Sequence, residues 1–221
     1  VASPDGLPVL PPALIADIAG GSYPAIMNIL LALLHRERFG VGCHLDIAMA
    51  ENVLPFLYAA ISRHQISGTV PHAGEDITTG GSVRYGIYRT ADDRFLSVAP
   101  VEDRFWVSFC DRIGLTPKHR DDRSDPGATR SQVAAKIGER TAAQWKQIFQ
   151  GHDVCVAIVA TIDEALNSEH FRSRQIFDRK VMTDIGDMMA LPVPFDRKFR
   201  SKDVKKAYPL LGESTDVVGW D

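Results

Sequence analysis

An aspartate and two glycines near the start of the chain form the first candidate site. Asp17 stands in an apolar segment before Gly20 and Gly21, and a helix pattern begins directly after them. A carboxylate in such a segment is costly to bury and suits the role of a general base. Glycines permit the close approach of a ligand, and the N-terminus of a helix favours an anion. The alternative interpretation is that Asp17 is a turn or capping residue.

A glutamate and a second pair of glycines form two further candidates. Glu102 precedes a helix pattern, where the helix dipole alone already favours an acidic residue. A catalytic role for Glu102 needs a partner, such as a histidine that the carboxylate would orient. Gly80 and Gly81 lead into a predicted hairpin, where their backbone could line a ligand site or form a plain turn.

Other motifs do not indicate chemistry. His152 and Asp153 follow Gly151 between a helix pattern and a strand pattern, where these residue types are ordinary loop residues. The remaining histidines lack metal-ligand spacing, so no metal site is expected, and P-loop, GxSxG and HExxH motifs do not occur. The three cysteines lie far apart. They predict neither a disulfide framework nor a zinc site and favour a reducing, cytoplasmic compartment.

Composition limits the classes of partner. The chain has 221 residues, of which 45% are hydrophobic, enough for one large domain or two modest ones. The net charge is −3, so there is no basic excess for nucleic-acid binding. The longest apolar run, residues 23–34, is too short to span a bilayer, so no membrane partner is expected.

Apolar spacing and capping residues predict mixed helices and short strands, and therefore an α/β chain. The first helix, at 22–39, should start at a Ser22 cap, bury a stripe that includes Ile26 and Leu30, and end at Gly40. A helix from an Asp46 cap to residue 67 should be interrupted by Pro55. Further helices are predicted at 102–113, 131–139, 142–150, after Thr161 and at 169–178. Strands are predicted at 83–88, 95–99, 154–160, 180–183 and 188–193. Residues 116–131 and the last twenty-odd residues should be polar connections.

Several segments in order give the chain a resemblance to a known family. They are Leu14-Ile15-Ala16-Asp17, Gly40-Val41-Gly42, Leu45-Asp46-Ile47-Ala48-Met49, Thr90-Ala91-Asp92-Asp93-Arg94-Phe95, Ile162-Asp163-Glu164-Ala165-Leu166, Leu191-Pro192-Val193-Pro194 and Leu210-Leu211-Gly212-Glu213. In this order they resemble the class III CoA-transferase (CaiB/BaiF) and α-methylacyl-CoA racemase family. The resemblance implies a Rossmann-like large domain, a small α/β domain and an interlocked homodimer. It assigns residues 1–74 to the large domain and linker, 75–195 to the small domain and 196–221 to a returning linker. The chain is then expected to be the C-terminal part of a protein about twice as long.

The resemblance also implies roles for the candidate residues. Asp17 falls on the family's catalytic aspartate, which is a nucleophile in CoA-transferases and an acid/base group in racemases. Glu102 falls where racemases keep a glutamate that pairs with the catalytic histidine, and this favours racemase chemistry. That histidine belongs to a Gly-His-Asp motif expected before Val1, and His152 is not equivalent to it.

The same resemblance implies the ligands. Gly20, Gly21, Gly80, Gly81 and Tyr85 are the expected substrate-binding residues. The substrate is an acyl-CoA thioester, with coenzyme A as part of the substrate and no permanently bound cofactor. Ser82-Val83-Arg84 departs from the residues that racemases often have there, which leaves the acyl group open. A non-catalytic fragment or binding module is the remaining alternative.

Overall fold

A computed structural model describes residues 10–69, 72, 74–200 and 205–213. Contacts divide the chain into two compact units, with the division between Ile158 and Val159. The structure has mixed helices and small sheets, which confirms the predicted α/β class. The assignment of residues 1–74, 75–195 and 196–221 to parts of a family protein stays a prediction.

The candidate aspartate lies on a π-helix, Ile15–Ser22, that continues directly into α1, Tyr23–Phe39. The predicted Ser22 cap is wrong, because Ser22 has helical torsion angles and its Oγ donates to the carbonyl of Asp17 at 3.1 Å. The predicted end at Gly40 is confirmed. Gly40 adopts φ 71°, a left-handed conformation that glycine favours, and its N–H donates to Arg36 O.

One apolar face of α1 lies open to solvent. The predicted burial of its stripe is wrong, since Ile29, Leu30, Leu33 and Leu34 are each about half exposed and no described element covers them. The continuous helical segment Ile15–Phe39 has 25 residues and is long and apolar enough to cross a membrane. The length argument from residues 23–34 is therefore wrong. Core helices of soluble proteins have the same length and composition, so these properties alone do not define a membrane span.

The second predicted helix consists of three short pieces. They are α2, Met49–Asn52, a 3₁₀ turn, Leu54–Leu57, and α3, Tyr58–Ser67. Pro55 lies in the 3₁₀ turn, which confirms the interruption, because proline cannot donate to the preceding turn. Asp46 is not a cap, since the helix begins three residues later with Ala48 at its N-cap.

The hydrophobic core of the first unit lies between a three-stranded antiparallel sheet and three helices. The strands are β1, Gly86–Arg89, β2, Phe95–Val98, and β3, Val156–Ile158, in that order. The helices are α4, Asp103–Ile113, α5, Pro126–Ile137, and α6, Ala142–Phe149. The core side chains include Leu96, Val98, Trp106, Phe109, Ile113, Val133, Ile137, Trp145 and Phe149. Leu96 opposes Ile158 and Gly86 opposes Val98 in the strand register.

Helix ends in this unit test the capping predictions. Thr141 and Gln144 form a capping box at the start of α6, where a Thr141 cap was predicted. The predicted polar connection 116–131 is wrong in part, because α5 starts at Pro126. Its cap is Asp125, whose Oδ1 accepts from Ala128 N at 2.9 Å.

The second unit contains two short helices and a small sheet. The helices are α7, Ile162–Leu166, which starts at a confirmed Thr161 capping box, and α8, Glu169–Ser173. The strands are β4, Lys180–Thr183, β5, Gly186–Met189, and β6, Lys205–Ala207. β5 pairs antiparallel and β6 parallel to β4, which lies between them. The strand predicted at 188–193 therefore begins earlier, and the predicted polar connection contains a strand.

Candidate functional site

Asp17 presents an unpaired carboxylate on the π-helix. The residue is exposed, and its side chain has no hydrogen-bond or ion-pair partner among the residues that the structure describes. Only its main-chain carbonyl is used, by Ser22 Oγ. A free, solvent-accessible carboxylate can act either as a proton acceptor or as a nucleophile.

Gly20 and Gly21 let α2 pack closely against the helical turn that carries Asp17. Gly20 is buried, and its carbonyl accepts from Asn52 Nδ2 at 2.9 Å. A Cβ atom on Gly20 would lie 2.7 Å from Val53 Cγ1 and 3.0 Å from the carbonyl oxygen of Met49. Backbone N–H groups inside a π-helix donate to carbonyls five residues earlier. The structure thus gives these glycines a packing role, and their predicted role in substrate binding stays a prediction.

Glu102 stands at the N-cap position of α4, with its main chain engaged and its side chain free. Its carbonyl accepts from the N–H groups of Phe105 and Trp106, both at 3.0 Å. Its side chain makes no capping hydrogen bond, and no ion pair joins it to another described residue. Glu102 lies at the helix N-terminus, where the helix dipole alone favours an acidic residue, as the alternative interpretation predicts. The carboxylate is left available to a partner.

Arg84 is a residue that the sequence reasoning did not place in the site. Its Nη1 donates to Asp103 Oδ1 at 2.6 Å and to the carbonyl of Val101 at 3.1 Å. Its Nε and Nη2 donate to Asp122 at 2.8–3.1 Å. Burial lowers the pKa of Arg84, but its hydrogen bonds to Asp122 and Asp103, together with the negative charges of these carboxylates, outweigh burial, so the pKa of Arg84 is raised. The same contact lowers the pKa of Asp103.

The Gly80–Gly81 loop is fixed by its own backbone and by α5. Gly80 adopts φ 113°, and Gly81 N donates to Asp76 O at 3.0 Å. From α5, Arg130 Nη2 donates to the carbonyl of Gly80 at 2.8 Å. A Cβ atom on Gly81 would lie 2.0 Å from the carbonyl oxygen of Glu75, so a side chain at this position requires the backbone to move.

An open cavity of about 620 Å³ lies beside this loop. Gly80 and Gly81 line it together with Arg63 and Arg130, which bring two guanidinium groups to it. Arg63 is paired with Asp76 at 3.1 Å. Glu75 also lines the cavity, so the lining carries residues of both charges.

Two tyrosines follow the loop, with different surroundings. Tyr85 is 36% exposed and is available to a ligand. Tyr88 is buried, and its hydroxyl donates to Val83 O at 2.8 Å. Burial raises the pKa of Tyr88 to about 12, with Arg130 opposing the shift. Tyr88 therefore belongs to the core, whereas Tyr85 is partly exposed and its predicted role in substrate binding stays a prediction.

The structure brings some of the predicted residues together and leaves others apart. Gly80, Gly81 and Tyr85 share one segment, and Arg84 in that segment reaches both neighbours of Glu102. Within the described ranges, no hydrogen bond or ion pair joins the turn of Asp17 to Glu102. His152 lies in a loop, where its Nδ1 is 2.7 Å from Arg112 Nη2. In the described part of the chain, no group of three metal-binding side chains is assembled.

The chain belongs to CoA-transferase family III, whose family model matches residues 1–215. Alpha-methylacyl-CoA racemase from Mus musculus is 32% identical over 217 residues, which cover 96% of this chain and 55% of that protein. Succinyl-CoA–D-citramalate CoA-transferase from Chloroflexus aurantiacus is 25% identical over 230 residues, which cover 97% of this chain and 57% of that protein. The chain thus spans about half the length of these relatives.

Solved structures share the fold. Rv3272 from Mycobacterium tuberculosis superposes with a TM-score of 0.73 at 20% identity, over 98% of this chain and 58% of that chain. A CAIB/BAIF family protein from Brucella suis gives a TM-score of 0.72 at 20% identity, over 99% of this chain and 58% of that chain. The exposed helix Ile15–Phe39 falls inside this shared fold.

Proposed function

We propose that the chain is the part of an α-methylacyl-CoA racemase-like enzyme that carries an acid/base aspartate and a supporting glutamate. The reaction is a 1,1-proton transfer at the α-carbon of a CoA thioester. The observation that carries the proposal is the free carboxylate of Glu102 at the start of α4. A transferase that uses only a nucleophilic aspartate does not need this second carboxylate.

The chemistry requires groups on both faces of the α-carbon. A proton beside a thioester is weakly acidic, so a base must remove it while hydrogen-bond donors stabilise the enolate oxygen. Asp17 serves one face. A histidine serves the other face, and Glu102 orients that histidine and makes it more basic.

The second candidate function is a class III CoA-transferase, which moves CoA between carboxylic acids. The exposed, unpaired carboxylate of Asp17 favours it, because a nucleophile must reach the thioester carbon without an ion-pair partner in the way. The Gly80–Gly81 loop would then cover the aspartyl intermediate and exclude water. The similarity to succinyl-CoA–D-citramalate CoA-transferase supports the same alternative.

Deuterium incorporation separates the two reactions. The full-length protein is incubated in deuterated water with an (R)-2-methylacyl-CoA, with and without a free carboxylic acid. Deuterium at the α-carbon without the acid supports the racemase. Movement of CoA only when the acid is present supports the transferase and contradicts the racemase. Binding of acyl-CoA with neither reaction would leave a binding module as the function.

Further properties of the whole protein belong to the same proposal. The ligand is an acyl-CoA thioester, coenzyme A arrives with the substrate, and no permanently bound cofactor is needed. The protein acts as an interlocked homodimer in the cytoplasm. The apolar face of α1 that is open in this chain supports such an assembly, because exposed apolar surface is characteristic of an interface.

A further inference from the structure

We propose that Arg84 is a positioning residue that fixes Glu102 by holding the residues on both sides of it. The inference rests on the proposed catalytic role of Glu102. Arg84 Nη1 contacts the carbonyl of Val101 at 3.1 Å and Asp103 Oδ1 at 2.6 Å. We call these two contacts the Arg84 clamp. They hold the chain before and after Glu102 and leave the Glu102 carboxylate itself free.

The guanidinium group is itself firmly held. Its Nε and Nη2 contact both carboxylate oxygens of Asp122, and the side chains of Arg84 and Asp122 are only 11% and 12% exposed. A planar guanidinium group that meets a carboxylate through two nitrogens has little freedom to rotate. The clamp therefore presents Nη1 from a fixed position.

The ring of Trp106 packs against the guanidinium group of Arg84. Its centroid lies 5.2 Å from the guanidinium carbon of Arg84, and its Nε1 donates to the carbonyl of Arg120 at 2.8 Å. The main-chain N–H of Trp106 donates to the carbonyl of Glu102. The guanidinium group of Arg84 thus contacts Val101 before Glu102, Asp103 after it, and the ring of Trp106 one helical turn later.

The positive charge of Arg84 does not neutralise the Glu102 carboxylate, because Arg84 is paired with two other carboxylates. Arg84 brings one positive charge, and Asp103 and Asp122 together bring two negative charges. Its Nε, Nη1 and Nη2 are all engaged by Asp122, Asp103 and Val101, so its cation is already paired. The Glu102 carboxylate keeps its own charge and can accept a proton-bearing partner such as an imidazole.

Aspartates on the same helix provide a matched test. Asp103 pairs with Arg84 at 2.6 Å and is 76% exposed, and Asp111 pairs with Arg120 at 2.6 Å and is 56% exposed. Ion pairs made by carboxylates at the surface contribute little to stability. D103N and D111N should therefore both fold. D103N removes a contact next to Glu102, whereas D111N removes the contact with Arg120 at the other end of the helix and serves as the control.

The experiment measures α-proton exchange of an (R)-2-methylacyl-CoA by full-length D103N, D111N, R84K and the double variant D103N/R84K. D103N should lower kcat about tenfold with an unchanged KM, because small displacements of a catalytic group are costly, and D111N should match the wild type. The losses in R84K and D103N should not be additive, because both variants disrupt the same Arg84–Asp103 contact. The amide hydrogens of Phe105 and Trp106 should exchange faster in D103N than in D111N.

E102Q separates the failure of the clamp from the failure of the proposed function. Loss of exchange in E102Q, with equal activity in D103N and D111N, overturns the clamp and leaves the role of Glu102 intact. Wild-type exchange in E102Q overturns the role of Glu102 and the clamp together. A drop in D103N that is matched by a drop in D111N, or additive losses in the double variant, also overturns the clamp.

Discussion

Replacement of Gly81 by alanine tests how strongly the cavity loop depends on a glycine. The added Cβ would meet the carbonyl oxygen of Glu75 at 2.0 Å and that of Asp76 at 3.0 Å. Both neighbours are backbone atoms, so no side-chain rotation relieves the contact. The backbone must shift by about 1.4 Å to restore an ordinary contact distance of 3.4 Å.

The shift breaks the contacts that hold the loop. Gly81 N donates to Asp76 O and Arg130 donates to Gly80 O, and each such hydrogen bond contributes about 0.5–1.5 kcal/mol. We therefore expect a loss of about 1–3 kcal/mol in the free energy of unfolding. In the full-length protein, taken as about twice as long as this chain, that loss lowers Tm by about 1–4 °C.

The assay is thermal unfolding of full-length G81A beside G42A. Gly42 has no atom within 4 Å of its would-be Cβ, so G42A adds a methyl group in open space and should leave Tm unchanged or slightly raised. A transferase whose loop covers the intermediate should also hydrolyse more thioester per turnover in G81A. A G81A protein with the Tm and the hydrolysis of the wild type would refute the reasoning.

Three further outcomes are expected. D17A in the full-length protein should abolish turnover while D93N, at another exposed aspartate, should not; wild-type turnover in D17A would contradict both enzymatic roles. A thiol reagent should label exposed Cys43 in the native protein and buried Cys110 only after unfolding, and labelling of both at one rate would contradict the packing. Burial raises the pKa values of Cys110 and Tyr88 to about 12 from 9.0 and 10.0. The unfolded state therefore loses these protons first, so the contribution of these two groups to stability is constant below about pH 9 and is lost towards pH 12. Denaturant midpoints should fall over that range.

Helix starts, ends and interruptions were predicted correctly where the residues that cause them lie at the same place in the sequence. Gly40 ends α1, Pro55 interrupts the second helix, and the Thr141 capping box starts α6, each within a few residues of the chain. The π-helix could not be predicted in this way, because its glycines fit against α2, about thirty residues later. The start of α5 was missed although the sequence Asp125-Pro126 is a typical helix start.

The candidate site was predictable only in part. Family resemblance singled out Asp17 and Glu102, and the structure shows both carboxylates free of partners among the described residues. Arg84 was noted only as a departure from the family pattern. Its partner Asp122 is 38 residues away, and a local sequence pattern does not predict an ion pair between residues so far apart.

The order of strands in the second unit has a consequence for shortening the chain. β4 is a central strand only because β6 pairs with it on the side away from β5. In the intact sheet the edge strand on this side is β6, which has three residues and carries Lys205 and Lys206. A chain cut before Lys205 would make β4 the edge strand instead, with unpaired N–H and C=O groups and with Met182, which is 41% exposed. Such an edge recruits strands from neighbouring molecules. A short edge strand with lysines disfavours such pairing, so we expect shortened variants that lack β6 to form more concentration-dependent aggregates than the intact chain.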